Sequence, residues 1–437
     1  MNASRIVLIA LVVWSCKATG QEFSVVKLPK PEQASYKFAQ VEPSIAIHPN
    51  NPDKMVAGTV MNDYYYSRDG GLTWKSQSLT SKYGVNGDPV LHVSQKGWYY
   101  YFHLSNPPSG NWIDRIVCER SRWICGKWKV SATPPEPPKA QDKQWVAECP
   151  VTGNLYLTWT EFDKYGSKDT TDHSRIMFSK SEDDGKNWSH PRSISYFEGD
   201  CLDGDSTVEG AVPAVNSRGD LFVTWTGPRG IMMNTSTDQG DSWRQKEKKI
   251  HDHPGGWTFS VPGVGRCNGL PIIKIDQSGG AFNDRIYVNW ADQGRDSSNT
   301  EIWMIYSDDH GKSWSQKIKV NQDESGKHQF FTWMDIDQKN GNLYFVYYDR
   351  RNHDDHSTDV YIAYSSDGGA TIHEKKVSNT PFKPQKEVFF GDYLNIAAHD
   401  DVVRPIWPTM DANGKISLWT ALVHGGELMR ERNEKHR

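Results

Sequence analysis

Apolar and polar residues alternate in short runs along almost the whole chain, and the runs recur in groups. Runs such as GWYYYFHL from Gly97, GNLYLTWT from Gly153 and GDLFVTWT from Gly219 are each separated from the next by turns rich in Gly, Asp and Asn. This length and this punctuation are typical of β-strands. The recurrence of such groups predicts an all-β protein built from repeated units.

A polar turn with the frame Ser-x-Asp-x-Gly-x-x-Trp recurs between these runs. It begins at Ser67, Ser181, Ser236 and Ser307, and a fifth copy at Ser365 ends in Ile rather than Trp. The Asp can accept hydrogen bonds from its own turn, and the Gly can adopt positive φ. The Trp then buries a large ring beside the hairpin. We interpret the frame as a structural staple and assign it no catalytic role.

The frame resembles the Asp box of sialidases and of many other propeller proteins. Seven inner strands can be counted, which predicts an all-β fold, a seven-bladed β-propeller; they begin at Glu42, Asp88, Gln144, Val212, Leu270, Thr332 and Asp392. The last blade lacks a fourth strand. We expect the leftover run FSVVKLP from Phe23 to close the ring by pairing there. Because Asp boxes occur in hydrolases, lyases and binding proteins, the resemblance leaves the function open.

The ends of the chain differ from the repeat. Residues 1–20 have a basic start, an apolar run and a small-residue site, which predicts a signal peptide and a secreted or periplasmic protein. Lipid attachment at Cys16 is the alternative. We expect the propeller to span residues 21–425 and a charged tail to span residues 426–437. The net charge of −4 and the lack of a basic run argue against nucleic acid as a partner, and we expect a monomer.

Five cysteines remain after the predicted signal peptide. Export permits disulfides, and Cys118 and Cys125 bracket the place where blade two should carry its Asp box. We predict that they form a disulfide in place of that staple. Whether Cys201 and Cys267 pair stays open. No Cys and His spacing resembles a zinc site.

Candidate chemistry gathers on the face opposite the Asp boxes, because propeller topology places the long loops there. Three carboxylates open the inner strands of adjacent blades, namely Glu42, Asp88 and Asp392, and Tyr393 follows the last of these. His103 takes a position that holds Trp or Tyr in five other blades. Such a group could bind sugar hydroxyls, hold Ca²⁺ or transfer protons. No residue is assigned as a metal ligand, and Ca²⁺ is the one cofactor left open.

Cationic side chains on the same face would suit a carboxylate or sulfate group, because guanidinium matches both bidentately. The candidates for substrate binding, with the three carboxylates, are Lys143, Arg229, Arg295, Arg351 and Arg404. Arg350 is the candidate for neutralising a substrate carboxylate. A sialidase needs an early Arg, and residues 21–67 contain none. Hydrolysis of sialic acid is therefore disfavoured.

The residue types are similar to those of secreted seven-bladed polysaccharide lyases of the ulvan-lyase kind. The similarity implies β-elimination on an acidic, uronate-containing glycan, with His103, Tyr393 and Arg350 as catalytic residues. A lyase or a chain-end dehydratase would give a 4,5-unsaturated uronate. Two alternatives stay open: a glycoside hydrolase using two of the three carboxylates, and a glycan-binding propeller without chemistry.

Overall fold

The computed structural model describes residues 23–31, 40–294 and 299–435, with side chains described to residue 430. The predicted signal peptide, Cys16 and Arg295 lie outside the described residues. Within them, seven four-stranded antiparallel sheets form the blades, and their inner strands surround one axis. The prediction of a seven-bladed β-propeller is confirmed.

The strands are numbered along the chain from β1 (Ser24–Lys27), which belongs to the last blade. Blade one contains β2 (Ser44–Ile47), β3 (Met55–Thr59), β4 (Asp63–Ser67) and β5 (Lys75–Ser78). Blade two contains β6 (Val90–Val93), β7 (Tyr99–Leu104), β8 (Ile116–Ser121) and β9 (Lys129–Ala132). Blade three contains β10 (Ala140–Glu148), β11 (Leu155–Phe162), β12 (Ser174–Ser181) and β13 (Arg192–Ser193).

The second half of the ring repeats this order with one insertion. Blade four contains β14 (Glu209–Val215), β15 (Leu221–Thr226), β16 (Ile231–Ser236) and β17 (Lys248–His251). A separate hairpin follows, made of β18 (Thr258–Phe259) and β19 (Cys267–Asn268). Blade five contains β20 (Ile272–Ile275), β21 (Ile286–Asp292), β22 (Glu301–Ser307) and β23 (Ile318–Lys319). Blade six contains β24 (Gln329–Asp337), β25 (Asn342–Asp349), β26 (Asp359–Ser365) and β27 (His373–Lys376).

Blade seven is closed by the N-terminal strand, as predicted. It contains β28 (Asn395–His399), β29 (Val402–Met410) and β30 (Ile416–His424), and β1 pairs antiparallel with β30. Leu28, just after β1, donates its N–H to Leu418 and is almost fully buried. The ring therefore has no open seam between its first and last segments.

The segment after β30 is more ordered than the predicted charged tail. It forms helix α1 (Gly425–Lys435), and Leu428 of this helix is buried in the core cluster that blades six and seven share. Its carbonyl accepts a hydrogen bond of 3.4 Å from Tyr364 of blade six. No helix in the part of the chain that the structure describes is long and apolar enough to cross a membrane.

The repeated polar turns are staples, as interpreted. In blade one, Ser67 Oγ donates to Asp69 Oδ1 at 2.8 Å, and Thr73 N–H donates to the same oxygen at 2.9 Å. Gly71 adopts a φ of 90°, and its N–H donates to Ser67 Oγ. The staple thus satisfies the groups of its own turn.

The predicted disulfide between Cys118 and Cys125 is wrong, because both thiols are free. Cys118 is buried beside Gly185 of blade three, whereas Cys125 is exposed and accepts a hydrogen bond from Arg68 of blade one. The two thiols therefore face opposite neighbours. Cys201 and Cys267 are also free, in different core clusters.

Blade two carries a degenerate copy of the frame instead of a disulfide. Ser121 and Trp128 stand seven residues apart, as in the intact frames, with Trp123 in place of the Asp. Ser121 Oγ still accepts the N–H of Trp123 at 3.1 Å. Trp128 packs edge-on against Tyr64 at 5.1 Å between ring centroids. The Ser and the Trp of the staple have kept their contacts without the Asp.

Candidate functional site

The inner strands line an axial channel of about 300 Å³. Trp145 and Trp333 lie in this channel with ring centroids 4.2 Å apart, and Tyr393 packs against both. Beyond them lies a separate void of about 20 Å³, lined among others by Lys143 and Asp392. The three aromatic rings thus separate the channel from a group of charged residues at the opposite end.

Backbone conformation brings those charged residues to the axis. Glu42 and Asp88 lie two residues before β2 and β6, and Lys143 lies within β10; their φ values are 53°, 50° and 49°. Non-glycine residues rarely adopt this left-handed conformation, and it is concentrated at functional sites. Blades three and four add a β-bulge at the same level, between Asp142 and Trp145 and between Glu209 and Val212. Bulges re-aim side chains.

Eight charged side chains meet there, and we call them the mouth cluster; they are Glu42, Asp88, Asp142, Lys143, Asp203, Glu209, Arg266 and Asp392. Lys143 is at the centre and is buried. Its Nζ lies 3.2 Å from Asp392 Oδ2, 3.6 Å from Glu209 Oε1 and 3.8 Å from Asp142 Oδ2. Burial alone would lower the pKa of Lys143, but these carboxylates raise it well above its ordinary value. The ammonium therefore stays charged.

Arg266 covers the cluster from the inserted hairpin between blades four and five. Its Nε donates to Asp392 Oδ1 at 2.7 Å, and its Nη2 pairs with the other oxygen of that carboxylate. Its Nη1 donates to Asp203 Oδ2 at 3.0 Å, and the same oxygen accepts the hydroxyl of Tyr165 at 2.7 Å. The side-chain amide of Asn268 donates a hydrogen bond to the backbone carbonyl of Asp392. The insertion thus completes the site.

The six carboxyl groups fall into two protonation classes. Burial, with the charge of Asp392, raises the pKa of Glu42 to about 7. Burial and the charge of Glu42 raise the pKa of Asp88 to about 8, and these two side chains hydrogen-bond to each other. Burial also raises the pKa of Asp142 to about 7 and that of Glu209 well above its ordinary value.

The other two carboxyl groups are ionised. Burial alone would raise the pKa of Asp203, but Lys143 and Arg266 lower it to about 2. The same two cations lower the pKa of Asp392 against the effect of burial. Proton donors and ionised carboxylates therefore stand side by side at neutral pH, an arrangement suited to acid–base chemistry.

The structure brings together five of the sequence-predicted site residues. Glu42, Asp88, Lys143 and Asp392 belong to the mouth cluster. Tyr393 lies against it and lines the same small void as Lys143 and Asp392. Burial, and after it the charges of Asp88 and Glu42, raises the pKa of the Tyr393 hydroxyl well above its ordinary value. Four of them lie just before an inner strand, so their neighbourhood follows from the repeat, whereas Lys143 lies within β10.

His103 lies elsewhere, in the core of blade two. Its side chain is 0% exposed, so it cannot act as the proton-transfer group that the sequence suggested. Nδ1 donates to the carbonyl of Leu104 at 2.8 Å, and Nε2 has no hydrogen-bond partner within the described protein. Burial lowers its pKa to about 4. The ring occupies the same slot as the buried Trp and Tyr residues of the other blades.

The predicted arginines that the structure describes do not join the mouth cluster. Arg350 lines a cavity at the rim of blade six. Arg351 is neutralised by Asp349 and Glu374. Arg229 stacks on Phe197 at 3.6 Å beside a surface pocket. Arg404 donates to the carbonyls of Gly70, Val403 and Val423 at the seam between blades seven and one. No contact among the described residues joins His103, Tyr393 and Arg350.

Sequence reasoning missed Asp142, Asp203, Glu209 and Arg266. Three of them lie in two long loops that we had placed on the functional face, DCLDGDSTVEG from Asp200 and the loop from His251 that ends in RCNG. The loops were recognised, but nothing in the sequence distinguished these residues from others around them. No group of three or more His, Cys, Asp and Glu side chains could hold a metal ion in the described ranges.

The described fold and its Asp-box turns define a class, the Asp-box propellers. The BNR repeat-like domain family matches residues 153–388, more than half of the chain, and the BNR/Asp-box repeat matches residues 65–76. The chain belongs to the BNR repeat-like family. No curated protein matches it significantly.

Solved structures with the same fold are distant in sequence. An ulvan lyase of a polysaccharide lyase family is 12% identical with a TM-score of 0.53, covering 92% of this chain and 95% of its own. A protein of unknown function from Dyadobacter fermentans DSM 18053 is 12% identical with a TM-score of 0.50, covering 92% and 99%. An alpha-L-arabinofuranosidase mutant from Fusarium graminearum is 13% identical with a TM-score of 0.50, covering 93% and 98%. These likenesses show the fold.

Proposed function

We propose that this protein is an exported enzyme that cleaves glycosidic bonds, with the mouth cluster as its acid–base centre. One observation carries the proposal. Glu42 and Asp88 hydrogen-bond to each other, and burial raises their pKa values to about 7 and about 8, so this pair shares protons at neutral pH. Beside them, Asp392 stays ionised because Lys143 and Arg266 pair with it. Glycoside hydrolysis needs this pair of roles. The fold is one that glycan-active enzymes use, as the names of the ulvan lyase and the arabinofuranosidase indicate.

In this mechanism the Glu42–Asp88 pair gives a proton to the leaving oxygen as the glycosidic bond breaks. Water then adds to the anomeric carbon of the sugar, and its proton returns to the same pair. Asp203 and Asp392, which remain ionised, stabilise the positive charge that develops on the sugar ring. Lys143 and Arg266 keep these two carboxylates ionised and in place. Tyr165 orients Asp203 through its hydroxyl.

The charges also favour a neutral sugar at the cleaved bond. Both cations of the cluster are already matched by carboxylates, since Lys143 touches three and Arg266 touches two. Neither is left to pair with a uronate. Arg350, which we had expected to do so, lies in a different cavity.

Elimination on a uronate is the second candidate, and one observation favours it. Tyr393 lies against the cluster, close enough for Lys143 to influence the pKa of its hydroxyl. Tyr393 would take the proton from C5 of the uronate and pass it to the oxygen that leaves C4. Lys143 would neutralise the substrate carboxylate after releasing one of the carboxylates that it now contacts. That exchange requirement places elimination second.

The test is to incubate the chain with panels of neutral and uronate-containing oligosaccharides, and to follow ultraviolet absorbance and product mass. We expect cleavage with addition of water. Cleavage with new absorbance would establish the lyase, and loss of water without cleavage the dehydratase. No change on any substrate would overturn the proposal of an enzyme and favour a glycan-binding propeller.

Variants then test the site. Glu42→Gln and Asp88→Asn should each lower kcat by roughly 10²–10⁴-fold, which is the usual contribution of a positioned proton-transfer group. The matched control is Asp335→Asn, in the channel wall and paired with Lys274 at 2.8 Å. It should stay within about threefold of the wild type, since it moves no catalytic proton. Equal losses in all three variants would contradict the assignment of the mouth cluster.

A further inference from the structure

A second cavity, of about 220 Å³, lies at the rim of blade six and is rich in basic side chains. Its lining includes Arg350, Lys327 and Lys383 together with His328, His353 and His356. Pro262, from the insertion between blades four and five, forms part of the wall. None of these residues belongs to the mouth cluster.

Arg350 is the unusual member of this lining. Its side chain is held by a hydrogen bond of 2.6 Å from Nη1 to the carbonyl of Pro262 and one of 3.1 Å from Nε to Thr358 Oγ1. The ring of Phe330 lies 5.1 Å from its guanidinium. The residue is 3% exposed, yet Nη2 has no hydrogen-bond partner within the described protein. A buried donor without a partner is costly unless a ligand satisfies it.

No carboxylate forms a salt bridge with Arg350 among the described residues. The acidic residues of the cavity pair with its lysines instead: Lys327 Nζ lies 2.9 Å from Asp354, and Lys383 Nζ lies 3.1 Å from Asp355. These two pairs are largely exposed, so they are weak and can rearrange. The guanidinium is thus the uncompensated charge of the cavity.

His328 does not add to the positive charge of the cavity at neutral pH. Burial and the charge of Arg350 lower its pKa to about 4, and its Nδ1 lies 2.9 Å from Thr300 Oγ1. His353 Nε2 lies 3.0 Å from Asp359, so this ring is held in the wall. A neutral imidazole beside a fixed guanidinium offers one further polar contact to a small anion.

We propose that this cavity binds a tetrahedral oxyanion, a sulfate or phosphate group, with Arg350 as its anchor and Lys327 and Lys383 at its entrance. Guanidinium offers parallel N–H donors to such oxygens, and the exposed lysines can turn from their aspartates towards the ligand. The group could arrive as the free anion or as an ester on a sugar, and the chemistry of recognition is the same. This inference does not rest on the proposed function.

The test measures thermal stability and calorimetric binding with sodium sulfate and sodium phosphate, against sodium chloride at equal ionic strength. We expect a saturable rise in Tm with the oxyanions that chloride does not give. The affinity for galactose 6-sulfate, with galactose as the control, shows whether the ligand is the free anion or an ester on a sugar. Binding at least about tenfold tighter than inorganic sulfate would identify an ester on a sugar as the ligand; equal or weaker binding would identify the free anion.

Arg350→Gln should weaken oxyanion binding by at least about tenfold, because it removes the charge-assisted hydrogen bonds. Arg229→Gln, an exposed arginine on another part of the rim, is the matched control and should bind as the wild type does. Lys383→Gln, at an exposed position where folding is not at risk, should weaken binding a few-fold.

The proposal is overturned if sulfate and phosphate give no saturable effect beyond that of chloride. It is also overturned if Arg350→Gln folds and binds as tightly as the wild type. Should Arg350→Gln fail to fold, Lys327→Gln and Lys383→Gln decide the matter. Unchanged affinity in both lysine variants would then exclude this cavity as the binding site.

Discussion

At the scale of single residues, the site depends on three positions where a charged side chain occupies the left-handed region. Glu42 and Asp88, just before β2 and β6, and Lys143, within β10, have positive φ. In blades four, six and seven, Gly210, Phe331 and Gly391 take positive φ near the same level without offering a charged side chain. This backbone conformation thus recurs in several blades, and the chemistry is added where the residue that adopts it carries a charge.

His103 tests whether a departure from the repeat implies function. Because the ring is buried and fills an aromatic slot, His103→Ala should lower the free energy of unfolding by about 2–4 kcal/mol through the cavity it leaves. The kcat of His103→Ala should stay within about threefold of the wild-type value. His103→Trp, the residue type of four other blades, should keep activity. Thermal unfolding and kinetics on the same samples check both.

The opposite pattern would restore the sequence-based hypothesis for His103. That pattern is an Ala variant of wild-type stability whose kcat falls by about 10²-fold or more, with a folded but inactive Trp variant.

At the scale of elements, turns and insertions have separate tasks. The Asp-box turns staple hairpins on one face, while bulged strand starts and the β18–β19 hairpin build the cluster on the other. Blade two shows that a staple tolerates loss of its Asp when the Ser and Trp contacts remain. Function therefore varies on one face without disturbing the staples on the other.

The staple can be tested within one chain. Asp183 accepts hydrogen bonds from Ser181 Oγ, from the N–H groups of Lys186 and Asn187, and from the Asn187 side chain. Asp183→Ala should lower the free energy of unfolding by about 1–2 kcal/mol, because backbone donors lose their acceptor. Trp123, at the same frame position in blade two, is 71% exposed. Trp123→Ala should change stability by less than about 0.5 kcal/mol.

Thermal or denaturant unfolding of the two variants beside the wild type gives the comparison. Equal destabilisation would mean that the frame position itself, rather than the Asp hydrogen bonds, stabilises the turn.

At the scale of the whole molecule, closure of the ring makes the site. Lys143 of blade three reaches Asp392 of blade seven, and Arg266 joins the latter to Asp203 of the segment before blade four. These contacts cross the axis, so they exist only when all blades are in place. β1 secures that closure through its pairing with β30.

The raised pKa values predict how stability depends on pH. Folding raises the pKa of Glu42 from 4.5 to about 7 and that of Asp88 from 3.8 to about 8. Between the unfolded and the folded pKa values the folded state binds more protons than the unfolded state. This contribution to stability is therefore fully present below about pH 4, falls as pH rises from there, and is lost above about pH 8. Asp203 and Asp392 act in the opposite direction, but only below about pH 4, where the unfolded carboxyls titrate.

Asp88→Asn should therefore flatten this dependence between pH 5 and about pH 8, and should gain stability relative to the wild type at the upper end. Tm measured at pH steps across this window for both proteins checks it. Parallel curves would show that Asp88 is not protonated in the folded protein.

The sequence predicted the fold almost completely, because the determinants of the fold are local. Strand alternation, the Ser-x-Asp-x-Gly-x-x-Trp frame and the surplus strand from Phe23 each lie within a few residues, and they repeat. The same regularity pointed to Glu42, Asp88, Asp392 and Tyr393 as neighbours, since residues that open inner strands meet at the axis. Lys143 was found as a cation on the same face.

Other features were decided by the tertiary structure. Cys118 and Cys125 are close in sequence, but Cys118 lies in strand β8 beside Gly185 and Cys125 lies in the following turn beside Arg68, so no disulfide forms. The residue type did not reveal that His103 would be buried in the core of blade two. Burial in the folded protein, not the residue type, also raised the pKa of Glu42 and Asp88. Arg266 reaches Asp392 from 126 residues away in the chain. Desolvation and contacts across the axis arise only once the ring has closed, and no local pattern encodes them.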